Sequence, residues 1–151
     1  MAILIRTKAA NTARAFPAGR ALRAELSKTS KHMVIEHTGI QVKNIEKAKA
    51  FYVAALKPLG YKLNMDFGDA AGFKQSGHTS FWIGQTKNPT KMHIAFRAAS
   101  RKAVQNFYKA AIKAGAKNNG EPGLRKDYSP DYYAAFVLDP DGNNIEAVCF
   151  K

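Results

Sequence analysis

Phe51-Tyr52-Val53-Ala54-Ala55-Leu56-Lys57 returns 56 residues later as Phe107-Tyr108-Lys109-Ala110-Ala111-Ile112-Lys113. Fourteen residues ahead of each stretch stands a histidine, His37 before the first and His93 before the second. The histidine, the Phe-Tyr pair, two alanines and the closing lysine therefore all keep one offset. Two unrelated helices would not share so many positions at a single spacing, and the pattern predicts a duplicated module.

Outward from the two stretches, each copy reads as a strand, a helix and then further short strands. The opening strands are Val34–Val42 and Met92–Arg97. Asn44 and Ser100 follow them as N-caps, because a short side-chain oxygen can accept the free amide hydrogens of a first helical turn. Ile45, Ala48, Tyr52, Ala55 and Leu56 form one apolar stripe, and Ala103, Phe107, Ala110 and Ala111 form the other. Pro58-Leu59-Gly60 and Ala114-Gly115 end the helices. Alternating segments predict strands over Tyr61–Phe67, Gly72–Gln75 and Thr79–Ile83 in the first copy, and over Tyr132–Leu138 and Asn144–Phe150 in the second. Residues 118–130, with glycines and prolines, read as a long loop. Gly84–Lys91 links the copies, and Asp139-Pro140-Asp141-Gly142 reads as a turn into the last strand.

The chain has 151 residues, a single domain's worth, long enough to bury a core without disulfides or a structural metal. Cys149 is the lone cysteine, which fits a reducing compartment, the cytoplasm or an organelle matrix. No apolar run approaches the roughly 18 to 20 residues that cross a bilayer, so no membrane partner is expected. The formal net charge is +13. Much of it lies in residues 1–32, where Arg6, Lys8, Arg14, Arg20, Arg23, Lys28 and Lys31 face Glu25 alone. That segment, rich in Ala, Arg, Ser and Thr, has the composition of a mitochondrial-type presequence or of a disordered basic arm. The domain proper is expected over residues 33–151, as modules of about 34–84 and 92–151. Its lysines fall on helix surfaces without interleaved aromatics, so a solvated face that draws in small anions is expected rather than a nucleic-acid partner.

The strands show two unlike faces. Met92, Ile94 and Phe96 alternate with His93, Ala95 and Arg97; Ile145, Ala147 and Cys149 alternate with Asn144 and Glu146; Thr38, Ile40 and Val42 alternate with His37, Gly39 and Gln41. Half-buried antiparallel strands ordinarily turn the polar set to water. Here the two histidines hold equivalent places in a repeat, and Gly39 and Ala95 beside them leave space. If this face is concave, a lone Glu146 there costs several kcal/mol even after relaxation. A cation removes that cost: two imidazoles and a carboxylate from separate strands form a facial set for a divalent metal, with positions left open for substrate.

These residues are where the chain resembles the vicinal-oxygen-chelate superfamily of glyoxalases, bleomycin-resistance proteins and ring-cleaving dioxygenases. The resemblance covers about Val34 to Phe150, and Asp139-Pro140-Asp141-Gly142-Asn143-Asn144-Ile145-Glu146 is its most specific part. It implies an α+β fold of two tandem βαβββ modules whose mixed sheet is cup-shaped, with helices on the outer face. It also implies metal ligands His37, His93 and Glu146, the last also catalytic, and a divalent ion such as Fe, Mn, Ni or Zn. A small-molecule substrate and a homodimer belong to the same expectation.

One departure stands out. Counted from Gly77 and Gly142, the first module's counterpart of Glu146 is Phe81, which cannot ligate, whereas glyoxalases place a fourth ligand there. The pattern therefore implies either a metal-dependent lyase, isomerase or dioxygenase acting on a substrate with two adjacent oxygens, or a metal-independent binding protein of the bleomycin-resistance type. Arg97, Trp82, Arg125, Tyr128 and Tyr133 are the candidate substrate-binding residues. Arg97 and Arg125 suit an anionic group, and the aromatics suit the mouth of a cup. His32 and His78 read as surface residues, and Cys149 as a buried inert thiol.

Overall fold

The computed structural model describes residues 35–150, and the compact unit within it begins at His37. The basic segment 1–32 and Val34 lie outside the described residues. The element order is β1 (Thr38–Val42), α1 (Ile45–Leu56), a 3-10 turn (Lys57–Leu59), β2 (Lys62–Asp66), β3 (Ala70–Gln75) and β4 (His78–Gln85). The second copy then runs β5 (His93–Arg97), α2 (Arg101–Lys113), β6 (Lys117–Leu124), β7 (Tyr132–Leu138) and β8 (Asn144–Phe150). This is βαβββ twice. The two four-stranded mixed sheets have orders β1-β4-β3-β2 and β5-β8-β7-β6, with the first and last strands of each module parallel.

The helices start where their caps direct. Asn44 Oδ1 accepts from the Lys47 amide at 2.9 Å and Ser100 Oγ from the Ala103 amide at 3.2 Å. One face of each sheet is apolar and lies against the helices: Ile40, Val42, Phe73, Phe81 and Ile83 from the first, Phe96, Ala135, Val137, Ile145, Ala147 and Cys149 from the second. The repeated positions serve this core, since Phe51, Ala55, Phe107 and Ala111 are all buried. The modules join through α1, α2 and a string of edge-on rings, with Phe96 5.1 Å from Phe81 and 5.2 Å from Tyr61. Among the described residues no helix is long and apolar enough to cross a membrane.

The Asp139 turn is a second joint between the modules. Asp139 Oδ1 accepts from the amides of Asp141 and Asn143, while Oδ2 accepts from the Asn143 side chain and from the Tyr52 hydroxyl at 2.5 Å. Asn143 Oδ1 in turn accepts from the Met92 amide at 3.0 Å. The turn thus grips α1 of the first module and holds the starts of β5 and β8 side by side. Burial pushes the Tyr52 hydroxyl well above its ordinary pKa, and the Asp139 charge adds to the shift.

The expected loop over 118–130 proves to be partly a strand. β6 pairs with β7 through Leu124, but its register breaks between Asn118 and Gly120 and again between Gly120 and Gly123. Gly120, Pro122 and Gly123 hide the alternation that marks a strand, yet an outer strand tolerates them because one side of its backbone needs no partner.

Candidate metal and substrate site

In a sheet, register partners point to the same side, so each open face can be assembled row by row. In the second sheet the rows away from the helices are His93–Asn144–Leu138, Ala95–Glu146–Phe136 and Arg97–Val148–Ala134, followed by the pair Phe150–Tyr132. Glu146 lies at the centre and is only 2% exposed. Its Oε1 accepts from the Tyr132 hydroxyl at 2.6 Å, and its Oε2 lies 3.2 Å from His93 Nε2. The His93 side chain is half exposed, so the pair has a buried acid end and an open imidazole end. Burial and the bond to Glu146 push the Tyr132 phenol up to about 12, so at neutral pH it is a proton donor to the carboxylate and not a base.

The rings around this pair are ordered. The His93 ring stacks near Phe136 with centroids 6.4 Å apart. Tyr128, exposed to solvent, meets Tyr132 edge-on at 5.2 Å. Arg97 holds its guanidinium 4.3 Å from the centre of the Phe150 ring, and Arg125 holds its own 5.4 Å from the centre of Phe136. Tyr133, expected to bind substrate, is displaced by alternation: it faces α2, accepts from Gln105 Nε2 at 3.1 Å and lies under Arg101. Tyr132 takes the place on the open face, and Phe136, Asn119 and Asn144 join it there. The sign of these was the alternation of Phe136 with Val137 and of Asn144 with Ile145.

The open face of the first module carries a different content. His37 is exposed and stands one residue ahead of β1. Gly39 pairs with Trp82 in the register in which Ala95 pairs with Glu146, so the counterpart of Glu146 is Trp82 and not Phe81. Phe81 instead faces the core, 1% exposed and edge-on to Tyr52. The break in register between Phe73 and Lys74 explains why counting from the turn lands one residue early. Trp82 lies across Gly72, where a Cβ would come within 2.9 Å of the indole, and Phe67 stacks parallel to it at 6.2 Å. The corner thus holds a ring in place of a fourth ligand.

The spacing of the donors suits a divalent ion. Two ligands each about 2.1 Å from one ion and at right angles are about 3 Å apart, and the His93–Glu146 separation of 3.2 Å matches that spacing. One imidazole nitrogen and one carboxylate oxygen suit iron, manganese, nickel or zinc. His37 does not join them within the chain: among the described residues no group of three or more His, Cys, Asp or Glu side chains is arranged to hold a metal.

The family model described as Glyoxalase/Bleomycin resistance protein/Dioxygenase superfamily matches residues 34–147. No curated protein sequence matches the chain. Among solved structures, a glyoxalase/bleomycin resistance protein from Albidiferax ferrireducens T118 is 28% identical, with a TM-score of 0.66 over 76% of this chain and 96% of the other. A glyoxalase/bleomycin resistance protein/dioxygenase family enzyme from Burkholderia phytofirmans PsJN shares the fold at 18% identity, TM-score 0.60, over 77% and 98% of the two chains. A glyoxalase-related enzyme from Fulvimarina pelagi does so at 15% identity, TM-score 0.61, over 78% and 88%.

Proposed function

Because the chain belongs to the glyoxalase/bleomycin resistance protein/dioxygenase superfamily, we propose that it is a metal-dependent enzyme of lyase, isomerase or dioxygenase type. Its substrate in this reading is a small molecule with two adjacent oxygens, and its reactive centre is His93 with Glu146. The observation that carries the reading is the 3.2 Å approach of His93 Nε2 to a carboxylate that is otherwise buried. His37 is the third donor in this proposal and comes from a second copy of the chain. Two features support that: the pair is one donor short within a chain, and the two modules meet through their helices, leaving both open faces available. A reducing compartment suits the buried thiol of Cys149.

A bound divalent ion supplies Lewis acidity toward the substrate oxygens and an open position for them. The chain's own residues do the rest. Tyr132 occupies Glu146 Oε1, which leaves Oε2 as the oxygen that ligates or takes up a proton from the substrate. Because the Tyr132 phenol keeps its own proton to about pH 12, it anchors Glu146 without competing for that role. Phe136 and the ring stack at His93 keep the imidazole in one orientation and exclude water from one side.

The test is metal content and affinity of protein purified without chelator. Wild type is expected to hold one divalent ion per site, and Glu146→Gln and His93→Ala each to weaken it by more than the roughly 100-fold typical of outer-shell changes. Full occupancy in His93→Ala would overturn the reading. A second reading, a metal-independent binding protein, is favoured by one observation, the stack of exposed Phe67 on half-buried Trp82 at the ligand-free corner. Chelator-treated protein that binds a flat aromatic molecule as tightly as metal-loaded protein would establish it instead.

A further inference from the structure

We infer that the cleft of about 430 Å³ lined by Asn119, Gly120, Arg125, Tyr128, Phe136 and Asn144 is a subsite for the carboxylate of a small organic acid, anchored by Arg125. The inference deepens the proposed function and rests on it in one respect, that this face handles a small molecule.

The argument begins with how Arg125 is held. Its side chain doubles back along β6 and lies over the sheet, where its guanidinium meets the Phe136 ring and Nη2 donates to the Glu121 carbonyl at 2.6 Å. Two glycines clear its bed. A Cβ on Gly120 would sit 2.9 Å from Phe136 Cδ2 and 3.3 Å from Arg125 Nη2, and one on Gly123 would sit 3.0 Å from Arg125 Nη1. Gly120 also has φ +151, outside the range of most L-residues, so its place is selected twice over, by space and by backbone. A long side chain ordinarily loses rotamer freedom when it binds an anion. Here the fold has already met that cost.

The fixed guanidinium is also unspent. Among the described residues no carboxylate pairs with Arg125, and the Glu121 carbonyl takes only one of its N–H donors. Asn119 Nδ2 donates to Asn144 Oδ1 at 3.0 Å, and both amides line the same cleft. A planar fork of donors with an amide beside it matches a carboxylate, which a guanidinium engages through two parallel bonds. Phe136 and Tyr128 supply an apolar wall for the body of the acid. Asn144 is the register partner of His93, and Phe136 stacks on the His93 ring. An acid anchored at Arg125 therefore lies across Phe136 with its far end directed at His93 and Glu146.

The test uses the full chain, labelled with nitrogen-15, treated with chelator and titrated with benzoate. Saturable shifts are expected at the Arg125 side-chain Nε–H and the Asn144 amide. Arg125→Lys keeps the charge but loses the fork, and is expected to weaken benzoate at least 10-fold while metal content stays as in wild type. Glu146→Gln is expected to do the reverse, losing metal and keeping benzoate, so failure of the metal reading and failure of this one are told apart. Unchanged benzoate affinity in Arg125→Lys, or shifts centred on Arg97, would overturn the assignment. Inorganic phosphate binding as tightly as benzoate would overturn the carboxylate preference.

Discussion

The two open faces descend from one repeated pattern and carry opposite chemistry. At corresponding register positions the first module has Trp82 beside Gly39 and Gly72, and the second has Glu146 beside Ala95 and Phe136. Large and small have changed places. In one module an indole lies flat on a glycine; in the other a phenyl ring stands beside a carboxylate. The helix-facing positions tell the contrary story, with Phe51 and Phe107, and Ala55 and Ala111, buried alike. Packing holds the inner face of each copy to similar shapes because interiors tolerate little change in volume. Nothing comparable restrains the outer face, which is free to divide reactive and aromatic roles between copies.

The largest effect should come from separating inner and outer neighbours on β4. Phe81→Ala is expected to cost about 3–5 kcal/mol by opening a core cavity, and Trp82→Ala clearly less, both read by urea unfolding. Equal costs would break the distinction between the faces. Next, Tyr52→Phe removes the hydroxyl from buried Asp139, with an expected loss of about 1–3 kcal/mol. Its effect should extend to the β5–β8 start, seen as faster amide exchange at Met92 and Asn143, since the turn joins all three.

The glycine beds offer a sharper comparison. Gly72→Ala would press a methyl within 2.7 Å of Thr79 Cγ2 and 2.9 Å of the Trp82 ring, whereas Gly39→Ala meets nothing closer than 3.5 Å. The first should cost about 1–3 kcal/mol and shift the Trp82 fluorescence; the second should leave both nearly unchanged. The smallest effect is in Tyr132→Phe, at about 1 kcal/mol. The fold raises this phenol's pKa, so its contribution is whole below about pH 10, the unfolded value, and disappears as pH rises toward about 12. The stability gap between variant and wild type should be flat from neutral pH to about 10 and close above it.

Much of this architecture was legible in the chain because its signals are local. The helices begin at Asn44 and Ser100 as their capping chemistry predicts, and β7 and β8 span the alternating segments Tyr132–Leu138 and Asn144–Phe150. What escaped was register. A one-residue slip moves every side chain to the other face, and that separates Phe81 from Trp82 and Tyr133 from Tyr132. β6 escaped because Gly120, Pro122 and Gly123 mask its period. Arg125 could be named as an anion group from its charge, but its bed could not, since a long side chain folding back over a sheet leaves no trace in spacing. The sequence places His37 and His93 as equivalents, yet equivalence in a repeat does not bring two residues together within one chain.

The broken register of β2 and β6 has a further consequence. Each is an outermost strand, interrupted between Leu63 and Met65 in one and around Gly120 in the other, and armed with Lys62 and Asp66 or with Lys117 and Pro122. Such borders refuse an incoming strand from a neighbouring molecule. In concentrated solution neither sheet is readily lengthened through β2 or β6, which keeps these two borders out of edge-to-edge growth.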